Sequence, residues 1–365
     1  MYFKALFLAA AFVFSFQARA QDISPEVSAD HHVLFRLRAP HAEKVSVQIS
    51  GTKEPLALQK DGHGVWSVTT APLQPDYYGY TFSIDGIDVA DPSNPNTVPN
   101  LFYFGSMLHV PGPKSLAWEV NDVPHGIIHH HFFHSKIISD DRDFYVYTPP
   151  NYDVKMAYPV LYLLHGYSDT AEAWSAVGRV NVILDNLIVQ KKSKPMIVVM
   201  PLGYGSLEMV SRGISAFHDE NLRKLNETRF RNSLTEEVIP LVEKTYSTSR
   251  DRAIAGLSMG GAEALFVGLN DSKAFGWVGA FSAGGLSDEV KNDFSSLDVK
   301  DHPLNLLWLS CGKEDDLFSK NEKLRDWLKS QGFLVKWSET EGAHTWMVWR
   351  RNFVEFASLL FRDKK

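Results

Sequence analysis

Arg252–Gly261 reads Arg-Ala-Ile-Ala-Gly-Leu-Ser-Met-Gly-Gly. A short apolar run ends at Gly256, Ser258 follows between Gly256 and Gly260 at G-x-S-x-G spacing, and Ala262–Gly268 has a helical composition. Strand, sharp turn and helix in that order form the context in which a serine hydroxyl is lifted clear of a sheet as a nucleophile. The flanking glycines fit a turn too tight for side chains on either side.

A serine is a weak nucleophile without a base, so the chain must supply partners. In the open α/β-hydrolase arrangement these follow in the order serine, acid, histidine. Leu304–Leu309 is an apolar run interrupted only by Asn305, and it empties into Ser310-Cys311-Gly312-Lys313-Glu314-Asp315-Asp316. Catalytic groups in such sheets collect beyond the carboxyl ends of strands, so an acid is expected there, with Asp315 and Asp316 both candidates and Glu314 a weaker one. Leu334–Trp337 is a further strand-like run, followed by Gly342-Ala343-His344-Thr345-Trp346 and a helical segment from about Trp349. His344 is the candidate base. His302, the other histidine beyond Ser258, precedes a strand instead of following one.

An oxyanion needs two donors, the amide after the nucleophile and one from a loop after an earlier strand. Met259 supplies the first. Pro159–Leu164 runs into His165-Gly166-Tyr167, and the Tyr167 amide is expected to be the second, with His165 shaping the loop. Trp174, Tyr204 and Trp346 lie on loops expected to rim the pocket, where aromatic rings suit a cinnamoyl group.

Five segments carry a family resemblance: PVLYLLHGY (Pro159–Tyr167), ILDNLI (Ile183–Ile188), PMIVVMP (Pro195–Pro201), AIAGLSMGG (Ala253–Gly261) and GAHTWMVWR (Gly342–Arg350). Together, from about Pro124 to Phe361, they resemble the feruloyl and acetyl-xylan esterases of carbohydrate esterase family one. The wider esterase D-like group includes siderophore esterases and mycolyltransferases. The resemblance implies an α/β-hydrolase fold, a nucleophile at Ser258 and a base at His344. It places the acid three residues after Gly312, at Asp315.

Upstream, Val33–Arg38, Val45–Ser50, Trp66–Thr70 and Tyr78–Ile84 are short alternating runs separated by turn signals such as Asp61-Gly62 and Asp85-Gly86. That pattern predicts a small antiparallel sandwich over 21–112, which resembles the early-set immunoglobulin-like domains found on polysaccharide-active enzymes. Asp91–Pro113 is rich in proline and reads as an ordered linker. Strands and helices then alternate, predicting an α/β catalytic domain over 113–365 with a mostly parallel sheet covered on both faces. Trp66, Tyr77, Tyr78, Tyr80 and Phe82 are expected to be packing residues before sugar-stacking ones. His125, His129, His130, His131 and His134 alternate across a strand, a poor cage for a metal, and a polar edge strand is the better account.

Residues 1–20 have Lys4, an apolar core Ala5–Phe16 and an Ala18-Arg19-Ala20 cleavage pattern, the look of an export signal. Its removal takes away Lys4 and Arg19 and no acid, two positive charges, so the formal charge goes from −6 to −8. An acidic chain is a poor partner for nucleic acid. Cys311 is the one cysteine, expected to be buried and inert. The expected protein is an exported serine carboxylic ester hydrolase, periplasmic or extracellular, without metal, organic cofactor or membrane anchor. Its substrate would be an ester-bearing small molecule or oligosaccharide, with feruloyl or acetyl groups on plant polysaccharide first and a siderophore ester second. The competing reading from another class is a glycan-binding protein with an inactive hydrolase domain.

Overall fold

The computed structural model describes residues 23–362, apart from 272, 288–289, 293, 295–296 and 298–303. The expected export signal and His302 lie outside the described residues. Eight strands form the large sheet: β1 Ile127–Ser135, β2 Asp140–Thr148, β3 Tyr158–Leu164, β4 Ile197–Pro201, β5 Thr248–Leu257, β6 Trp277–Phe281, β7 Leu306–Gly312 and β8 Val335–Thr340. Their spatial order is β1-β2-β4-β3-β5-β6-β7-β8. The β1/β2 and β2/β4 pairs are antiparallel, and every later pair from β4/β3 to β7/β8 is parallel.

Buried parallel strands read as continuous apolar runs because both faces are covered. In β3, Val160, Tyr162 and Leu164 join one core cluster while Leu161 and Leu163 join the other. The first cluster includes the helices Met259–Asn270 and Phe318–Ser330; the second includes Val180–Val189 and Trp346–Leu359. The histidine-rich strand β1 is at the sheet's edge. His129 and His131 share a face, both rings lying 5.7 Å from Tyr246, while His130 stacks on Tyr145 at 3.9 Å. Among the described residues no group of three or more His, Cys, Asp or Glu side chains is placed to hold a metal ion.

The helix Glu220–Ser233 passes through a π-helical turn, Leu234–Val238, into Ile239–Thr245. Pro240 lacks an N–H for the helical ladder, and the wider turn lies just before it. Some expectations need correction. The last helix starts at Trp346, directly after the His344 loop, not at Trp349. The Asp91–Pro113 segment is not merely a linker, because it holds strands Thr97–Val98 and Gly105–Val110. The latter pairs with Asp76–Ile84 inside the second N-terminal sheet.

That N-terminal region is all β. One sheet runs Glu26–Val27, Val33–Arg38, Val65–Thr69, Gln59–Lys60, and the other centres on Val45–Ile49, Asp76–Ile84 and Gly105–Val110. Their inner faces share one core of Val33, Phe35, Val47, Tyr80, Phe82 and Leu108 among others. Trp66, Tyr77, Tyr78, Tyr80 and Phe82 are all buried. The Tyr80 hydroxyl donates to Asp91 at 2.8 Å and accepts from Asn94 at 3.0 Å, which fastens the start of the Asp91–Pro113 segment to the sheet.

The two parts meet at a fully buried ion pair, Arg350 Nη2 to Asp76 Oδ1 at 2.6 Å. Removing one partner of such a pair leaves a charge uncompensated in the interior, at a cost of about 3–5 kcal/mol. Asp76→Ala is expected to lose roughly that much stability in urea denaturation, and the double change Asp76→Leu with Arg350→Met is expected to recover much of it.

Candidate active site

Strand β5 delivers Ser258 at its carboxyl end, and the helix Met259–Asn270 starts on the next residue. Ser258 takes φ 51° and ψ −117°, a conformation side chains rarely adopt. The flanking glycines are forced by contact. A Cβ on Gly256 would stand 2.3 Å from the Gly260 carbonyl oxygen, and one on Gly260 would stand 2.4 Å from that of His165.

The acid and the imidazole come from the ends of β7 and β8. A Cβ on Gly312 would lie 2.1 Å from the Gly342 carbonyl oxygen, so the two loops touch backbone to backbone. Lys313 N donates to Thr340 O at 2.8 Å, Glu314 N to Gly342 O at 3.2 Å, and Gly342 N to the Glu314 carboxylate. Asp315 then turns inward, its side chain wholly buried, and Asp316 and Glu314 stay exposed. His344 Nδ1 lies 2.8 Å from Asp315 Oδ2, and His344 Nε2 lies 3.0 Å from Ser258 Oγ. Burial raises the Asp315 pKa, but hydrogen bonding and charge from His344 outweigh it and hold the carboxyl below its ordinary range. Trp349 packs edge-on against the imidazole at 4.8 Å. A hydroxyl, an imidazole and a buried carboxylate in this line are equipped for proton transfer from the serine.

After β3, His165 is buried, with Nδ1–H donating to Gly166 O at 2.7 Å and Nε2 accepting from Gly203 N at 2.8 Å. Desolvation pushes its pKa down to about 4, so it is a neutral brace. Among the described residues neither the Tyr167 nor the Met259 N–H donates to another group of the chain; the latter opens a helix, where N–H groups have no intrahelical acceptor. The Tyr167 loop is held from outside the large sheet. Asn100 Nδ2 donates to Ser168 Oγ at 2.9 Å and Asp169 Oδ1 at 3.2 Å, Leu101 N donates to Ser168 O at 2.7 Å, and Phe102 packs on the Tyr167 ring at 5.5 Å.

A cleft of about 170 Å³ opens over Ser258 and His344. Of the expected rim aromatics, Trp346 lines it, but Trp174 and Tyr204 do not. Both are buried, at 0% and 1% exposure, which corrects their assignment as contact residues. Trp174 Nε1 donates to Leu164 O at 2.8 Å and its ring meets Trp346 edge-on at 5.1 Å; Tyr204 OH donates to Asp169 O at 3.2 Å. They support the wall from behind. Cys311 is buried, its thiol pushed up to about 12 by desolvation. Sequence reasoning missed Ser50, Asn100 and Tyr103, which reach the cleft from the N-terminal region, and Asp169 beside them. No local pattern announces a contact across some seventy residues of chain, though the polar Ser168-Asp169 pair in the loop after β3 was a hint.

The Esterase family model matches residues 135–358. An endo-1,4-beta-xylanase/feruloyl esterase of Xylanibacter ruminicola is 32% identical over 356 residues, 93% of this chain and 46% of the relative. The chain thus spans about half the length of that relative. An acetyl esterase of Caldicellulosiruptor saccharolyticus is 26% identical over 228 residues, 52% of this chain and 79% of the relative. Among solved structures, an enterobactin esterase from Shigella flexneri aligns with a TM-score of 0.68 at 20% identity, covering 91% of this chain and 94% of that one. A ferulic acid esterase from Anaeromyces mucronatus aligns with a TM-score of 0.59 at 24% identity, covering 68% and 95%. At such identities the likeness concerns the fold, which is that of α/β-hydrolase esterases.

Asp169 is the unusual group in the cleft. Burial pushes its carboxyl from 3.8 up to about 7, against hydrogen bonds from Gly166 and Asn100 that favour the charged form. The folded state therefore binds this proton more tightly than the unfolded chain does. Its stabilising effect is complete below the ordinary carboxylate value and is lost as pH rises through about 7. Asp169→Asn has no proton to lose. Thermal melts of the two proteins are expected to agree near about pH 4 and to diverge toward about pH 8, with the parent becoming the less stable.

Proposed function

The chain belongs to the Esterase family, and from that membership we propose that it is a serine carboxylic ester hydrolase acting through an acyl-enzyme. The observation that carries the reading is the Ser258–His344–Asp315 line, with bonds of 3.0 and 2.8 Å. His344 Nε2 takes the proton as Ser258 Oγ attacks the ester carbonyl. Asp315, ionised, fixes the tautomer with Nδ1–H and stabilises the imidazolium. The amides of Met259 and Tyr167 receive the developing oxyanion. His344 then protonates the departing alcohol, and water repeats the sequence on the acyl-enzyme.

For the substrate we favour a feruloyl or acetyl ester on plant polysaccharide or its oligosaccharides. The xylanase/feruloyl esterase and acetyl esterase relatives support this. So does the cleft itself, whose lining offers hydroxyl, carboxamide and carboxyl groups with the rings of Tyr103 and Trp346, and no Lys or Arg among the described residues. A siderophore ester is the second reading, favoured by the fold-level likeness to enterobactin esterase over most of the chain. A polyanionic catecholate would call for cations that this lining lacks. Residues 21–112, all β where described, are read as an early-set immunoglobulin-like domain and 113–365 as the catalytic domain, exported through a leader at 1–20.

Ser258→Ala and His344→Ala are each expected to abolish hydrolysis of p-nitrophenyl acetate with the circular dichroism spectrum unchanged. Asp315→Asn is expected to lower kcat by about 10⁴-fold, and Asp316→Asn to leave it near the parent's. Turnover of methyl ferulate, acetylated xylan and a catecholate siderophore, measured side by side, decides the substrate. A dominant rate on the siderophore would reverse the preference.

A further inference from the structure

A second and larger cavity, about 470 Å³, lies on the outward face of the N-terminal sheet. Its floor is the pair Val45–Ile49 and Asp76–Ile84. Ser46 stands opposite Ser83 and Gln48 opposite Thr81, and Ser50 N bonds Gly79 O at 2.8 Å. Alternation sends Val45, Val47, Ile49 and Phe82 into the core and leaves these short polar side chains outward. Cross-strand rungs on one face of a strand recur about every 7 Å, so the three rungs make a polar track. Gly79 and Gly105 leave its bed open. The track ends at Ser50 and Tyr103, and both residues also line the cleft over Ser258. The two concavities share a wall.

We propose that this groove binds the sugar backbone of a neutral, xylan-type glycan whose acylated residue enters the cleft at Ser258. The inference rests on the polysaccharide-ester reading above and adds a site to it. The chemistry of the lining selects the occupant. Serine and threonine hydroxyls with one carboxamide match sugar hydroxyls, while an anion would find Asp88 and no Lys or Arg among the described lining residues. A peptide strand would seek unpaired backbone at a sheet edge, and here the floor strands are already paired with each other. Tyr103, 48% exposed at the junction, offers a ring face to a sugar or to the acyl group.

The test uses the full chain and Thr81→Trp, which places an indole across the middle of the track at a residue that does not line the cleft over Ser258. Calorimetric titration with an unesterified β-1,4-xylo-oligosaccharide is expected to show saturable binding by the parent, weakened by about tenfold or more in the variant. The KM for an acylated xylo-oligosaccharide is expected to rise in parallel, with p-nitrophenyl acetate turnover staying within about twofold of the parent. That last measurement reports an intact fold and cleft; should Thr81→Trp fail it, Gln48→Ala is titrated in its place, with the same weakening expected. Absent saturable binding by the parent, or equal affinity in parent and variant, would overturn the groove. A parent that binds the oligosaccharide but hydrolyses no glycan ester would overturn the proposed function and leave the groove standing.

Discussion

The ion pair between Asp76 and Arg350 sets the relation of every functional element to the rest. Two charges with no solvent contact are tolerated only when paired and hydrogen-bonded throughout. Arg350 meets that condition: Nε and Nη2 reach Asp76 at 3.1 and 2.6 Å, Nη2 also reaches Tyr77 O at 2.5 Å, and Nη1 donates to Val177 O at 2.8 Å. Arg350 is on the helix that begins two residues after His344. On the same helix Met347 packs into the N-terminal core, so close to Gly51 that a Cβ there would stand 2.6 Å from its Cε. The imidazole is therefore positioned from both sides, by β8 and by a region that precedes the large sheet in the chain. The N-terminal region is part of the site's framework.

Within that framework the reactive groups are placed by crowding more than by attraction. Gly256, Gly260 and Gly312 each pass within 2.1 to 2.4 Å of a carbonyl oxygen, measured from where a Cβ would stand. Strands and loops this close have one arrangement available. The strain at Ser258, with its positive φ, is held by the bonds from Ser258 N to Phe281 O at 2.9 Å and from Gly284 N to Ser258 O at 3.0 Å. Such strain persists only where the surroundings over-determine it.

The sequence disclosed what is local and repetitive. Apolar runs marked β3, β5 and β7 because strands buried on both faces need them, and the glycines announced the elbow because no other residue fits there. The choice between Asp315 and Asp316 was not legible from spacing, since it depends on which way a loop turns after Gly312; resemblance selected the one the structure turns inward. Trp174 and Tyr204 misled because an aromatic ring on a loop is as useful behind a wall as on its surface, and composition does not distinguish the two. Strand β6, Trp277–Phe281, was missed as a short run with a glycine in it. Gly105–Val110 was hidden by the prolines around it. Asn100 and Tyr103 were out of reach for a different reason. Their role exists only once two distant segments fold against each other.

That composite character bears on specificity. A cleft of about 170 Å³ is smaller than the roughly 300–1,000 Å³ that encloses a drug-sized ligand. It can enclose the ester and a limited part of what is attached to it. Under the proposed ester hydrolysis, discrimination among esters would then rest on contacts made by the remainder of the substrate outside the cleft. Binding energy gathered remotely can serve the reacting centre only through rigid connection to it. The structure supplies that connection twice. Asn100 ties the N-terminal region to Ser168 and Asp169 in the loop after β3, and Arg350 ties it to the helix behind His344. On the proposed reading, a glycan held in the groove of the N-terminal sheet would be held in register with Ser258, and substrates that differ only far from the ester would differ in how well it is presented.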